Sequence, residues 1–144
     1  MRYTARSLTL VAATMALTAL PGTGIAGATQ SGADSLYAPS ALVLTITEGA
    51  DPESGTVQRA VTLSCAPTPS GTHPDPDGAC AELSANEARF DAITRPGSHA
   101  TCTKEWDPVT VTADGVWEGK RLSYVHTFGN PCAKDSGSGT VFSF

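Results

Sequence analysis

The chain is poor in basic residues and lacks the common motifs of hydrolytic enzymes. It has nine Lys and Arg against 14 Asp and Glu, for a formal net charge of −5 at pH 7. It contains no basic patch and no interleaving of aromatic with basic residues, which argues against a nucleic-acid partner. It also lacks the Gly-x-Ser-x-Gly elbow and the His-Glu-x-x-His helix. We therefore predict that the protein is not an enzyme and has no catalytic residues.

Long apolar runs are scarce as well. The uncharged run at residues 8–20 is too short for a membrane-spanning helix, which needs about 20 residues. It follows Arg2 and Arg6 and precedes a small-residue cleavage pattern at 26–28, as in a secretory signal peptide. We expect residues 1–28 to be removed and the protein to be secreted and extracellular, without a membrane partner. The alternative, a retained membrane anchor, is disfavoured by the length of the run.

The remaining chain, residues 29–144, has the length of one domain. Its first residues, 29–35, are small and polar, which predicts a disordered start. Loss of Arg2 and Arg6 leaves seven of the nine basic residues, so the mature chain is more acidic than its precursor.

Cysteine is also sparse, and its spacing limits the kinds of site that are possible. All four cysteines lie within residues 29–144, and no two are near neighbours. Zinc sites usually bring Cys or His together in close pairs, so we expect no metal and no cofactor. In an oxidising compartment, four cysteines predict two disulfides, although several pairings remain possible.

Several segments are β-branched and apolar, which predicts strands. The first two, 41–47 and 59–65, are expected to pair as a hairpin across a long loop at 48–55. Asp114-Gly115 is a hairpin-turn signal, and Gly119 is interpreted as a bulge. The remaining predicted strands are 109–113, 116–128 and 141–144.

Helical spacing of apolar residues occurs at residues 80–93, with Leu83, Phe90 and Ile93 broadly on one side. Pro and Gly at 96–97 are expected to end this helix. Because strands and helices do not alternate along the chain, we predict an α+β domain on an antiparallel sheet.

Three further segments are expected to lack regular structure. Residues 66–78 are dense in Pro, Gly, Ser and Asp, and His73 within them is expected to be solvated rather than metal-bound. Residues 129–132 predict a turn, and residues 136–139 a flexible segment.

The most informative segment is residues 102–108, Cys-Thr-Lys-Glu-Trp-Asp-Pro. Cys102 can tether one end through a disulfide, and Pro108 restricts the residue before it to extended backbone. A loop that inhibits a protease must be rigid before binding. It must also present a strand-like segment to the protease and carry one anchoring side chain. Lys104 is a suitable anchor for a protease with an acidic specificity pocket. The alternative is that Lys104 is an ordinary solvated charge.

Several short motifs are spread over residues 29–144, and Tyr124 is considered together with them. They are Leu-Tyr-Ala-Pro-Ser-Ala-Leu-Val-Leu-Thr at 36–45, Arg-Ala-Val-Thr-Leu at 59–63, Cys-Ala-Pro at 65–67, Pro-Ser-Gly-Thr-His-Pro at 69–74, Asp-Pro-Val at 107–109, Asp-Gly-Val-Trp at 114–117, Asn-x-Cys at 130–132 and Val-Phe-x-Phe at 141–144. Together they resemble the Streptomyces subtilisin inhibitor family.

The resemblance implies a standard-mechanism inhibitor of trypsin-like and subtilisin-like serine proteases that forms a homodimer. It implies a five-stranded antiparallel sheet with one main helix and a short second helix. It also selects two disulfides, Cys65 with Cys80 and Cys102 with Cys132. Each closure is expected to stabilise the fold by about 3–4 kcal/mol in the chain-entropy picture.

The resemblance places the reactive bond between Lys104 and Glu105, and Asn130 matches the family's loop-supporting asparagine. The protease-contacting loop it implies is Thr101, Cys102, Thr103, Lys104, Glu105 and Trp106. Thr103, Lys104 and Glu105 depart from the common pattern of Pro, a large apolar residue and a small or apolar residue. The charge at Glu105 leaves an alternative open, a secreted disulfide-stapled binding module whose inhibitory loop has degenerated.

Overall fold

The structure, a computed structural model, describes residues 37–95 and 101–144. The sequence predictions for residues 1–35 and 96–97 lie outside these residues. The described residues form five strands and three helices, β1 Ala41–Glu48, β2 Thr56–Ser64, β3 Ser70–Gly71, α1 Pro76–Ala85, α2 Phe90–Ile93, β4 Val109–Trp117, β5 Lys120–Phe128 and α3 Pro131–Gly137. Among them, no helix is both long and apolar enough to cross a membrane.

The strands form one antiparallel sheet in the order β3-β2-β1-β4-β5. The predicted α+β class, the five-stranded sheet and the pairing of the first two strands are confirmed. The sheet places β1 and β4 side by side in antiparallel register, so the end of β1 meets the start of β4. The segment before β4 and the loop after β1 therefore leave the sheet at the same end.

The core lies between one face of the sheet and the helices. Alternate residues of β1, Leu42, Leu44 and Ile46, are buried on that face, as expected for a strand with one covered side. They pack in one cluster with residues from the other strands, the helices and the carboxyl-terminal segment, including Val61, Leu63, Leu83, Phe90, Ile93, Val111, Val141 and Phe142. Cys65 and Cys80 form a disulfide that joins the segment after β2 to α1.

The predicted hairpin turn at Asp114-Gly115 is wrong. Both residues lie inside β4, which pairs on through them with β5. Gly115 is required there because a Cβ at that position would lie 2.2 Å from the carbonyl oxygen of Ala41. The turn is formed by Glu118 and Gly119, whose φ values of 49° and 75° are the positive pair that a type I′ hairpin needs. Gly119 is thus a turn residue rather than a bulge.

The predicted helix over residues 80–93 is two helices. The first starts earlier, where the Asp75 carboxylate accepts a hydrogen bond from the Gly78 amide at 2.9 Å and caps α1. The chain then leaves the helical conformation at Glu87 and Ala88, which have φ values of 53° and 50°. This break redirects the chain so that Phe90, in α2, enters the same core as the residues of α1.

Residues 66–78 are not uniformly irregular, because they include β3 and the start of α1. The prediction that His73 is solvated is also wrong, since only 4% of its surface is exposed. Its Nδ1 accepts a hydrogen bond from the Asp75 amide at 3.0 Å, and Nε2 lies 3.2 Å from the Val141 carbonyl oxygen. Both ring nitrogens therefore have hydrogen-bond partners, so burial of the imidazole leaves neither nitrogen unpaired.

The end of the chain also differs from the sequence prediction. Helix α3 begins within residues 129–132, expected to be a turn, and ends within residues 136–139, expected to be flexible, and residues 141–144 form no strand. Val141 and Phe142 are nonetheless fully buried. Side chains bond to this backbone in place of a strand partner, since Glu82 accepts from the Val141 amide at 2.9 Å and Lys134 donates to the Phe142 carbonyl oxygen at 3.4 Å. The sheet has five strands because β3 belongs to it, and residues 141–144 do not.

Candidate functional site

The loop at residues 101–108 lies at one end of the sheet and contains no helix or strand. Lys104 and Glu105 are exposed in its middle, as are Thr101 and Thr103 before them. Exposure decreases towards the sheet, where Pro108 is half-buried and the following Val109 is buried. The peptide bond between Lys104 and Glu105 is therefore accessible to another protein.

A disulfide between Cys102 and Cys132 ties the start of this loop to α3, with the two Cα atoms 5.7 Å apart. Cys132 is presented in the first turn of the helix. That helix forms because the Asn130 side chain accepts a hydrogen bond from the Ala133 amide at 2.9 Å and Pro131 occupies the first helical position. The two disulfides implied by the resemblance are thus both present.

Asn130 also supports the loop from beneath. Its Nδ2 donates to the carbonyl oxygen of Thr103 at 2.9 Å and to that of Glu105 at 3.1 Å. These carbonyls lie on either side of the Lys104–Glu105 bond. Only 7% of Asn130 is exposed, so water has little access to compete for these bonds. One side chain therefore holds both halves of the loop and caps α3.

The segment after Glu105 is held by Gly129 and Gly49. The Asp107 amide donates to the Gly129 carbonyl oxygen at 2.9 Å, and the Gly49 amide donates to the Pro108 carbonyl oxygen at 2.8 Å. The Trp106 indole lies over Gly129. A Cβ added to Gly129 would lie 3.8 Å from Trp106 Cε3, which is van der Waals contact. Trp106 remains 69% exposed, so its outer face is open to a partner.

Among the described residues, no carboxylate forms an ion pair with the Lys104 ammonium. The ion pairs among residues 37–95 and 101–144 are Arg89 with Glu87 and Lys134 with Asp135. The charge of Lys104 is therefore available to an acidic group on a binding partner. The described part of the chain also contains no cluster of three or more His, Cys, Asp or Glu arranged to hold a metal.

A sequence profile of the subtilisin inhibitor-like family matches residues 38–130. The chain belongs to this family. Protease inhibitor SIL-V2 from Streptomyces orinoci is 63% identical over 110 residues, which cover 76% of this chain and 100% of the relative. Trypsin inhibitor STI2 from Streptomyces longisporus is 53% identical over 150 residues, covering 100% of both chains.

A solved structure gives the same result. A chain in the crystal structure of Streptomyces caespitosus sermetstatin in complex with Bacillus licheniformis subtilisin matches with a TM-score of 0.69 and 43% identity. The match covers 74% of this chain and 99% of that chain.

The residue pattern selected the loop and the family resemblance selected Asn130, but neither indicated the supports at Gly49 and Gly129. It also missed α3, although Asn130 followed by Pro131 has the pattern of a helix N-cap with Pro at the first position. Gly49 carries no comparable signal, because its contact with Pro108 arises only when β1 and β4 pair.

Proposed function

We propose that this protein inhibits serine proteases of the trypsin and subtilisin types by the standard mechanism, with Lys104–Glu105 as the reactive bond. The observation that carries the proposal is the pair of hydrogen bonds from Asn130 to the carbonyls of Thr103 and Glu105, on either side of an exposed bond. Membership of the family and the names of its relatives support it.

In this mechanism the protease binds residues 101–106 as a substrate, with Lys104 in its specificity pocket. The protease serine attacks the Lys104 carbonyl carbon, and the bond to the Glu105 nitrogen breaks. In a simple substrate the new amine then diffuses away. Here the disulfide holds the half of the loop that carries the acyl group, and hydrogen bonds hold the half that carries the amine. The amine therefore stays beside the acyl group, and religation competes with hydrolysis and release.

The two protease types are expected to use Lys104 differently. A trypsin-like pocket has a carboxylate at its base that pairs with the ammonium, whereas a broad subtilisin-like pocket accepts the aliphatic stem. Because the loop is already held by Asn130, Cys132 and Gly129, little conformational freedom remains to be lost on binding. Trp106 supplies an exposed apolar contact on the leaving-group side.

Limited cleavage tests the reactive bond directly. We expect a catalytic amount of trypsin at mildly acidic pH to cut first after Lys104, because this loop is built to enter a protease cleft. Amino-terminal sequencing should then give Glu105 beside the mature start. The fragments should stay joined through Cys102 and Cys132, and the nicked protein should still inhibit.

Other basic residues provide the internal control for this experiment, since a generic domain is cut wherever local unfolding allows. A first cut after Lys120, with inhibition abolished, would show that the reactive bond lies elsewhere. The remaining alternative trypsin sites are Arg59, Arg89, Arg121 and Lys134.

A binding module with a degenerate loop is the second candidate, and the exposed carboxylate of Glu105 favours it. A charge beside the scissile bond suits some proteases poorly. Titration of trypsin and of subtilisin with the mature protein separates the two functions. Stoichiometric loss of activity supports inhibition, whereas unchanged activity of both enzymes supports the binding module.

We also propose that the protein is secreted, with residues 1–28 removed and residues 29–144 forming the mature inhibitor. The signal-like start of the sequence supports export. The two disulfides support it as well, because such bonds persist in oxidising compartments.

We propose further that the mature protein is a homodimer joined through the sheet face opposite the helices. Two large apolar side chains on this face, Val43 and Val125, are 47% and 52% exposed. The uncharged side chain of Thr45 lies two residues from Val43 on the same face of β1. The exposed carboxylate of Asp114, opposite Val43, accepts a hydrogen bond from the Ser123 hydroxyl at 2.7 Å. Two copies that meet here bury valine and threonine side chains around this hydrogen-bonded carboxylate.

Val125→Asp tests the dimer, because it places a charge in the proposed interface. We expect light scattering to show a dimer for the wild type and a monomer for this variant, with trypsin inhibition retained. Lys120→Asp, in the turn region of the same strand, is the matched control and should stay dimeric. A wild-type monomer at micromolar concentration would contradict the proposal.

A further inference from the structure

Cleavage between Lys104 and Glu105 leaves the two halves of the loop held by different kinds of bond. The half that ends at Lys104 is covalently tied to α3 through Cys102. The half that begins at Glu105 has no such tie before it enters β4. It is held by one hydrogen bond from Asn130 to the Glu105 carbonyl oxygen, by the Gly129 carbonyl and by the Gly49 amide. Retention of the leaving amine therefore depends on non-covalent supports.

Among these supports, Gly49 is itself held by a buried hydroxyl. Thr110 is 0% exposed, and its Oγ1 donates to the Gly49 carbonyl oxygen at 2.7 Å. The Gly49 amide in turn donates to the Pro108 carbonyl oxygen at 2.8 Å. Gly49 thus connects Thr110 to the base of the loop on its leaving-group side.

A second hydroxyl extends this connection. Thr127 Oγ1 lies 2.9 Å from Thr110 Oγ1 and 3.3 Å from the Ala50 carbonyl oxygen. Because the Thr110 proton is committed to Gly49, the Thr127 proton is directed towards Thr110 and Ala50. Strands β4 and β5 together therefore fix two consecutive peptide groups of the neighbouring loop.

Hydrogen bonds within the loop that contains Gly49 hold its conformation. The carboxylate of Asp51 accepts hydrogen bonds from the Glu53 amide and the Ser54 hydroxyl, each at 2.9 Å. These bonds, the one from Glu53 first, lower the pKa of Asp51 below its usual value. The Gly55 amide closes the loop by donating to the Asp51 carbonyl oxygen at 2.9 Å.

We propose that Thr110 is a positioning residue that holds the leaving-group half of the reactive loop through Gly49 and so favours religation of the cut bond; this inference rests on the inhibitory function proposed above. In religation the Glu105 amine attacks the Lys104 ester carbonyl. The C–N bond re-forms, the C–O bond to the protease serine breaks, and the amine proton passes through the protease's general base to the serine oxygen. A displaced amine loses this reaction to water.

Thr110→Val tests the proposal, because it removes the hydroxyl and nearly preserves the shape of the side chain. We expect the equilibrium ratio of nicked to intact inhibitor, reached with catalytic trypsin at mildly acidic pH, to rise about three- to tenfold, as loss of one net hydrogen bond predicts. Trypsin should also recover its activity faster from the complex. Thr110→Ser keeps the hydroxyl and should restore both values.

Thr112→Val is the matched control. Thr112 lies on the same strand and face and is 8% exposed, and its hydroxyl forms no hydrogen bond with the described residues. We expect this variant to leave the ratio unchanged. An equal rise in both variants would assign the effect to the sheet face in general and overturn the proposal.

Thermal unfolding measured in parallel separates positioning from stability. If Thr110→Val lowers Tm but leaves the ratio unchanged, Thr110 is only structural and the proposal is wrong. If that variant does not fold, the half-exposed Thr127→Val replaces it, with an unchanged ratio again overturning the proposal. Failure of the wild type to inhibit at all would instead contradict the proposed function, before any variant is compared.

Discussion

Lys104→Ala is expected to weaken trypsin inhibition far more than subtilisin inhibition. Removing one partner of a buried charge pair typically costs about 2–5 kcal/mol, which raises Ki about 30-fold to several-thousand-fold. The effect is large because the truncated side chain leaves the trypsin carboxylate buried and unpaired. Lys104 itself gives up no ion pair with the described residues, since neither of the pairs among them includes it.

For subtilisin we expect a loss on the order of tenfold, from the stem methylenes that leave the pocket. Inhibition constants measured for both enzymes with each variant give the comparison. Lys104→Arg should retain trypsin inhibition, because it keeps the positive charge. Lys120→Ala is the matched control, since Lys120 starts β5 at the far end of the sheet from the loop. Equal losses against both enzymes would show that Lys104 is not recognised as a charge.

Asn130→Asp is expected to abolish tight inhibition while leaving the fold in place. Aspartate keeps the oxygen that accepts the Ala133 amide and is a good N-cap, so α3 should persist. It replaces the Nδ2 donor with an anionic oxygen facing the carbonyls of Thr103 and Glu105. Loss of two hydrogen bonds and leaving these groups unpaired is expected to cost about 2–4 kcal/mol, or about 30- to 1,000-fold in Ki.

The measurement compares Ki, the rate of cleavage after Lys104 and Tm. We expect Ki and the cleavage rate to rise and Tm to change little, because the loop becomes an ordinary substrate on an intact scaffold. Asn130→Ser is the matched variant, since serine caps the helix without placing a charge beneath the loop, and it should show a smaller loss. A folded Asn130→Asp protein that inhibits as tightly as the wild type would rule out the loop-supporting role of Asn130.

Local patterns predicted the four long strands, but they missed β3, placed a strand at 141–144 and misplaced the turn between β4 and β5. The alternation in β1 identifies its buried face correctly, because a strand with one covered side must alternate. Asp114-Gly115 misled because glycine serves two purposes that look identical in sequence. It permits a tight turn, and it also permits close approach of a neighbouring strand, which is its purpose beside Ala41. Only the register of β1 and β4 distinguishes them.

The helical prediction failed for a related reason. Apolar spacing continues from α1 into α2, so periodicity alone indicates one helix. The chain breaks at Glu87 and Ala88, neither of which is a glycine. Tertiary packing outweighs local preference here, because the core gains Phe90 and Ile93 by accepting an unfavourable backbone at two residues.

Residue types in the sequence were enough to indicate Lys104 as an anchoring side chain and the four cysteines as two disulfides. The pairing of those cysteines and the role of Asn130 came from the family resemblance, which rests on motifs spread over residues 29–144 and not on local chemistry. Tertiary structure alone decided that His73 is buried and that Gly49 braces the loop. Thr110 and Gly49 are 61 positions apart in the chain and meet only through antiparallel pairing. A one-dimensional pattern contains no register between distant strands, and that register places Gly49 against Pro108 at the base of the loop.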